Sequence, residues 1–270
     1  MGYKETYNRW LTSDVVDDDT KAELKSIENN EKEIEERFYR ELEFGTAGMR
    51  GIIGAGTNRI NIYNVRRASQ GVAKYVLSNG EDAAKAGVLI GYDTRNFSRT
   101  FAEETAKVLT CAGVKTYLFP IVHSVPEVSF GIRKLGCSAG VMITASHNPK
   151  EYNGYKVYGP DGGQLPPDAA DVVVAAIDSY DIFDDVKFIS LDEAKEKGLL
   201  EIVSSDLDEK FLDVVQTQQQ NPEAVAEVAD TFKLIYTPFH GKGSRPIKAI
   251  LNRMGFKNVL VVKEQDTEDG

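Results

Sequence analysis

The hexapeptide Thr144-Ala145-Ser146-His147-Asn148-Pro149 follows an apolar run, residues 140–143, and puts a serine hydroxyl where a strand should give way to a loop. In α/β folds ligands bind beyond the carboxyl ends of strands, and Asn148-Pro149 takes the chain out of regular structure. A hydroxyl held there can serve as a nucleophile; the same residues also read as an ordinary turn rich in small polar side chains. Asn153-Gly154-Tyr155-Lys156 comes next, and an Asn-Gly turn is expected to fold Lys156 back beside the serine. A lysine there would neutralise an anion or move a proton, the latter only if burial or neighbouring cations draw its pKa below about 10.4. Read alone, the segment is equally an exposed hairpin. Phe44-Gly45-Thr46-Ala47-Gly48-Met49-Arg50-Gly51 is dense in glycine just before a strand, so backbone N–H groups can approach an anion and Arg50 offers a planar fork; a turn that admits close strand packing is the other reading. Gly91-Tyr92-Asp93-Thr94-Arg95 sits at another strand end, where Asp93 and Arg95 can brace each other or face a ligand. Neither a G-x-G-x-x-G fingerprint nor a GxxxxGK[ST] loop occurs.

These segments need a scaffold, and the apolar pattern supplies one. Residues 1–43 are polar and acidic, with Trp10, Leu11, Leu24, Ile27, Ile34 and Phe38 at spacings that predict two amphipathic helices, the second capped by Thr20 with Glu23 three residues on. From residue 44 strands and helices alternate: strand 49–53, helix 63–77, strand 87–92, helix 99–112 capped by Ser98, strand 114–119, helix 125–134, strand 139–144. That rhythm predicts an α/β domain, a mixed sheet sandwiched between helices. Runs such as Val88-Leu89-Ile90 and Val141-Met142-Ile143 suit strands covered on both faces. A turn-rich stretch, 153–167, leads to a helix at 168–180 and a charged connection, 181–205. Beyond it lie a helix at 207–218, a strand at 232–236, the loop Thr237-Pro238-Phe239-His240-Gly241-Lys242-Gly243, a helix at 246–254 and a strand at 259–263. The expected division is a helical extension, 1–43, a domain, 44–205, and an incomplete second unit of similar kind, 206–270, that is expected to continue past Gly270.

Composition narrows the function classes. The 270 residues carry a formal net charge of -10, and the 32 Lys and Arg are scattered, which argues against nucleic acid as a partner. Cys111 and Cys137 lack metal-ligand spacing and read as buried, reduced thiols, which fits a cytoplasmic protein. No secretory pattern opens the chain and no run approaches eighteen apolar residues, so no membrane association is expected.

Taken in order, FGTAGMRG, GYDTR, TASHNP followed by NGYK, and TPFHGKG resemble the α-D-phosphohexomutases, the phosphoglucomutase and phosphomannomutase family, from about residue 40 to the end. The segment around Trp10, Arg37 and Phe44–Gly48 is similar to the branch that holds bacterial phosphoglucomutases and the phosphoglucomutase-2/phosphopentomutase group. The resemblance implies an enzyme that interconverts hexose 1-phosphate and hexose 6-phosphate, glucose foremost, through a phosphoserine and a bisphosphate. Glucose 1,6-bisphosphate would be primer and intermediate. It further implies Ser146 as the phosphoserine, Lys156 as general acid/base, His147 as its assistant, and Arg50, Thr46, Asn148 and Arg95 as phosphate- or substrate-binding groups. Mg2+ would sit on the Ser146 phosphate and three aspartates of a D-x-D-x-D-R loop. That loop is absent: Asp17-Asp18-Asp19 and Asp206-Leu207-Asp208 lie in other contexts, so these residues alone are not expected to turn over substrate. A phosphopentomutase, a sugar-bisphosphate synthase and a non-catalytic phosphosugar-binding module are the alternatives.

Overall fold

The computed structural model describes residues 2–46 and 48–268. Three helices, α1 (Tyr3–Thr12), α2 (Asp18–Ser26) and α3 (Glu31–Phe38), open the chain, one more than the apolar spacing predicts. Asp17, rather than Thr20, caps α2, its carboxylate accepting the Thr20 N–H at 2.8 Å; an Asx cap one turn earlier satisfies the first free amides and draws Thr20 into the helix. The strands β1 (Phe44–Gly45) and β2 (Gly48–Ile52) precede helices α4 (Ile62–Ser78) and α5 (Glu81–Ala86). Next come β3 (Val88–Tyr92), α6 (Ser98–Cys111), β4 (Thr116–Leu118), α7 (Val125–Leu135), β5 (Ala139–Ile143), β6 (Tyr152–Tyr158), α8 (Pro167–Ser179), α9 (Leu191–Glu196) and β7 (Leu200–Ile202). These seven strands form one mixed sheet, ordered β1-β2-β6-β5-β3-β4-β7. Strands β3, β4, β5 and β7 run parallel, and β6, β2 and β1 are joined antiparallel at one side.

The continuous apolar runs are buried on both faces, as the pattern predicts. Val88, Ile90 and Tyr92 of β3 join Val65 and Val72 of α4, Phe101 and Leu109 of α6 and Val173 of α8 in one core. Leu89, between them in sequence, turns to the opposite core with Met142, Val128 and Ile132 of α7. Period-two side chains can serve two cores only if helices cover both faces.

Three expectations are corrected. Ser98 does not occupy the capping position of α6: Phe97, with φ 64°, stands there, and the Ser98 hydroxyl donates to Asp93 at 2.6 Å. The charged connection 181–205 contains α9 and the edge strand β7, which pairs with β4 through Leu200 and Ile202. Asn153-Gly154 is not a turn; both lie buried within β6, paired with Gly51 and Arg50 of β2. A Cβ on Gly154 would stand 2.6 Å from the Thr144 carbonyl and 2.9 Å from that of Met49, so glycine serves here to let three backbones crowd together.

The opening helices are bound to the sheet domain by a third core, an aromatic one: Trp10, Phe38, Tyr63 and Phe183 meet edge to face, Trp10 being 5.2 Å from Tyr63, 5.3 Å from Phe183 and 5.8 Å from Phe38. Beside it, Arg9 forks onto Asp181 at 2.7 and 2.6 Å. That fork, aided by the Phe183 and Asp184 amides and opposed by burial, holds the Asp181 carboxyl well below its ordinary value of 3.8. A carboxylate depressed in the fold stabilises above its unfolded pKa and loses that contribution as pH falls below about 3.8. Both side chains are about one-third exposed, so solvent screening limits the contribution to roughly 1 kcal/mol. Arg9→Gln is expected to lower urea stability by about that amount at pH 7 and by progressively less as pH falls below about 3.8; equal losses at pH 7 and pH 2.5 would contradict this assignment.

Helices α10 (Asp206–Gln216), α11 (Pro222–Val228) and α12 (Ser244–Arg253) and the parallel pair β8 (Lys233–Tyr236) and β9 (Asn258–Val261) complete the described chain. The sequence pattern misses α11. Ile235 and Leu260 remain 71% and 62% exposed, so this small sheet has an uncovered face among the described residues. Among the described residues no helix is long and apolar enough to cross a membrane. Cys137 is buried and Cys111 only partly so, both as free thiols; burial pushes the Cys137 thiol up to about 12.

Candidate active site

The carboxyl ends of β3 and β5 sit side by side in the sheet, so the segments after them, Asp93–Arg95 and Thr144–Pro149, are neighbours. Facing them is the loop after β8. Together they line a cleft of about 710 Å³ that includes Asp93, Arg95, Ser146, His147, Asn148 and Lys242. Ser146 has φ 58°, a left-handed conformation uncommon for a serine. Its amide donates to the Thr144 hydroxyl at 3.0 Å, its own hydroxyl lies 3.2 Å from His147 Nδ1, and the side chain is exposed to the cleft. The loop is thus turned outward at the serine rather than continuing along the sheet.

Arg50, on β2, donates from Nη1 to the Asn148 side-chain oxygen at 2.8 Å. Lys156 projects from β6, two residues past the pairing of Gly154 with Arg50. Its pKa is drawn below 10.5 by burial first, then by the positive charges of Arg50 and Lys242, with Asp93 acting the other way. The cationic setting that a proton-accepting lysine needs is therefore built from β2, β6 and the loop after β8. Thr46 is exposed in the β1–β2 turn and is not among the cleft-lining residues; Ala47 lies outside the described residues. Arg95 lines the cleft and directs its guanidinium at backbone carbonyls of the serine loop.

Sequence reasoning assigned no role to Lys150 or to the loop residues Phe239, His240 and Lys242, which also line the cleft. The signal was present in TPFHGKG: a lysine between glycines after a strand. Lys242 Nζ reaches Asp93 Oδ2 at 3.4 Å and the His240 carbonyl accepts the Thr94 hydroxyl at 2.9 Å, so this loop touches the sheet domain on the cleft floor.

A magnesium site needs several hard oxygen ligands. Around Ser146 the charged cleft-lining side chains are Arg95, Lys150, Lys242 and one carboxylate, Asp93, which already accepts from Ser98, the Arg95 amide and Lys242; the residues present do not form a magnesium cage. Among the described residues one cluster, His123, Glu127 and Asp208, brings three metal-type ligands together. Its centre is taken by Arg245, whose Nη1 reaches Asp208 and Nη2 the His123 Nε2, each at 2.8 Å, while Glu127 accepts the Ser124 amide as part of the α7 cap. The cluster joins α10 and α12 to α7 rather than presenting an open cation site.

The family model described as phosphoglucomutase/phosphomannomutase, alpha/beta/alpha domain I, matches residues 41–182. A phosphoglucomutase of Staphylococcus haemolyticus is 39% identical over 231 residues, which is 86% of this chain and 40% of that protein. A "probable phosphoribomutase" of Schizosaccharomyces pombe is 36% identical over 268 residues, 96% of this chain and 44% of that protein. Among solved structures, a "putative phosphomannomutase" of Thermus thermophilus superposes with a TM-score of 0.67 at 23% identity, over 85% of this chain and 47% of that one. At that identity the likeness speaks for the fold alone. The chain spans less than half the length of these relatives.

Proposed function

The chain belongs to the phosphoglucomutase/phosphomannomutase family, and we propose that it forms the phosphoryl-carrying wall of a mutase that interconverts hexose 1-phosphate and hexose 6-phosphate, with glucose as the sugar. The observation that carries this reading is Ser146 on a left-handed turn, its hydroxyl open to a cleft and flanked by His147, with Arg50 of β2 bonded to Asn148 of the same loop and Lys156 of β6 made more acidic by burial, Arg50 and Lys242. In this reading residues 44–205 form the serine-bearing domain and 206–270 the beginning of the next.

Phosphoryl transfer asks the protein for position and charge more than for covalent chemistry. The phosphorus–oxygen bond to Ser146 breaks as a bond forms to the free sugar hydroxyl, whose proton passes to neutral Lys156, while the departing serine oxygen takes up a proton from solvent and becomes a hydroxyl. The resulting bisphosphate, glucose 1,6-bisphosphate, turns and gives its other phosphoryl group to the Ser146 oxygen, whose proton returns to solvent as the departing sugar oxygen takes its proton back from Lys156. His147, within 3.2 Å, orients the serine oxygen. Arg50 and Asn148, bonded to each other, face the transferring group. Mg2+ would offset phosphoryl charge, with the Ser146 phosphate as this chain's ligand and its carboxylates drawn from other residues. A pentose phosphate is the second reading, favoured by the 36% identity to the phosphoribomutase relative along nearly the whole chain.

The test is intact mass of the whole protein before and after incubation with glucose 1,6-bisphosphate. One phosphate, absent from Ser146→Ala, is expected in at least one condition. No phosphate in either would overturn the proposal in favour of a phosphosugar-binding module. The ratio of kcat/KM for glucose 1-phosphate to that for ribose 1-phosphate decides the sugar.

A further inference from the structure

Arg95 is 12% exposed and its guanidinium is surrounded. Nη1 donates to the carbonyls of Pro149 at 2.9 Å and Tyr152 at 3.1 Å; Nη2 donates to those of Ser146 at 2.8 Å and Asn148 at 2.5 Å. Nε faces Asp93 Oδ2 at 3.6 Å. A guanidinium has five N–H donors and no acceptor, so every donor of Arg95 is directed at protein, four of them at one loop. A phosphate could bind Arg95 only by displacing a carbonyl that the loop needs. Asp93, 2% exposed, is in turn fixed by the Ser98 hydroxyl and the Arg95 amide.

We propose that Arg95 is a positioning residue that clamps the loop from Ser146 to Tyr152 by its backbone and holds Ser146 in its left-handed conformation, with Asp93 as the anchor of the clamp. The proposal rests on Ser146 being the phosphoryl carrier. A serine at positive φ sits in a sparsely populated region, at a cost of roughly 1–3 kcal/mol, and persists only where the surroundings over-determine it. The bond from Nη2 to the Ser146 carbonyl acts at that residue itself, and the other three fix the chain on its far side. Asp93 also accepts Lys242 at 3.4 Å from the loop after β8. The same carboxylate therefore joins the clamp to the opposite wall of the cleft.

The geometry separates a clamp from a phosphate ligand. Lysine keeps the charge but has no planar fork, so Arg95→Lys would preserve much of a phosphate contact and little of a four-carbonyl clamp. In the whole protein, Arg95→Lys and Arg95→Met are both expected to lower kcat about 100-fold, with KM for the sugar phosphate within threefold of its original value. Hydrogen exchange of the amides in 145–152 should rise at least tenfold in both, with exchange in β3 and α4 unchanged. A raised KM with kcat intact, or rescue by lysine, would overturn the clamp in favour of a ligand; so would unchanged loop exchange. If either variant fails to fold, Asp93→Asn carries the test: faster exchange of the same loop is expected, and an unaltered loop sinks the proposal. Exchange does not depend on turnover, so a faster loop in a protein that never carries phosphate on Ser146 would refute the proposed function and leave the clamp standing.

Discussion

Lys156→Met in the whole protein is expected to lower kcat for glucose 1-phosphate by roughly 10²- to 10⁴-fold, the usual contribution of a positioned acid/base, while leaving the thermal midpoint unchanged or higher. The two halves of that expectation come from one fact. The ammonium is partly buried on β6 and faces the positive charges of Arg50 and Lys242, with Asp93 as a counterweight. Below its folded pKa, Lys156 is charged in both folded and unfolded states and carries the cost of desolvation and repulsion in the fold. As pH rises through that pKa the folded lysine becomes neutral while the unfolded one stays charged up to 10.5, so stability rises with pH across that window. Met removes the cost and should flatten the rise. Activity in the phosphoryl-accepting direction should also climb with pH as the neutral amine forms, and Lys156→Arg, which stays protonated, should lose that limb. A variant whose activity and midpoint fall together would assign Lys156 to folding instead.

The parts of this site that could be read from the sequence are those governed by local rules. A serine after an apolar run, a proline three residues later and glycines around Arg50 each announce a strand end or a turn, and Ser146 and Arg95 indeed follow adjacent parallel strands. What could not be read depends on contacts between distant segments. Asn153-Gly154 has turn chemistry, yet tertiary packing against Thr144 and Met49 overrides it and threads it through β6; Lys156 therefore reaches the site from a strand rather than a hairpin. The donors of Arg95 look available for phosphate until the carbonyls of residues 146–152 are placed around them. β7 is only three residues long, and the charged segment before it disguises it as part of a linker. The 1–43 segment gives its apolar positions correctly but not its breaks, which are set by Asp17 and Asn30 accepting amide N–H groups at the starts of α2 and α3.

Trp10→Ala is expected to reduce stability by about 3–5 kcal/mol, the range for deleting a buried aromatic, and to release the opening helices before the sheet domain unfolds. Trp10 is 1% exposed and contacts Phe38, Tyr63 and Phe183 edge to face, so its indole belongs at once to α1, α3, α4 and the segment after α8. The polar bonds around it depend on that packing. Tyr63 donates to Asp17 Oδ2 at 2.6 Å and accepts the Asp17 amide at 2.8 Å, and burial, then Asp17, pushes its phenol up to about 12. Arg9 lies over the Phe183 ring at 5.1 Å while it holds Asp181. Removing the indole opens a cavity that the three rings cannot collapse into without breaking these bonds, so the loss should sit at the upper end of the range and exceed that of Arg9→Gln severalfold. Trp10 is the only tryptophan in the chain, so its fluorescence in the unsubstituted protein reports release of the helices, and far-UV circular dichroism follows the whole of the helix and strand in both proteins. Urea titrations should show the two signals coinciding in the parent and a separate, earlier loss of helix in Trp10→Ala. Trp10→Phe, which keeps one ring in the cluster, should recover about half the difference. A loss under about 1 kcal/mol for Trp10→Ala, no more than a surface ion pair is worth, would mean that the opening helices are held by their ion pairs and not by the aromatic core. Because this core lies apart from Ser146, the folded fraction of Trp10→Ala should still accept phosphate from glucose 1,6-bisphosphate, which makes it a stability control for the loop and lysine variants.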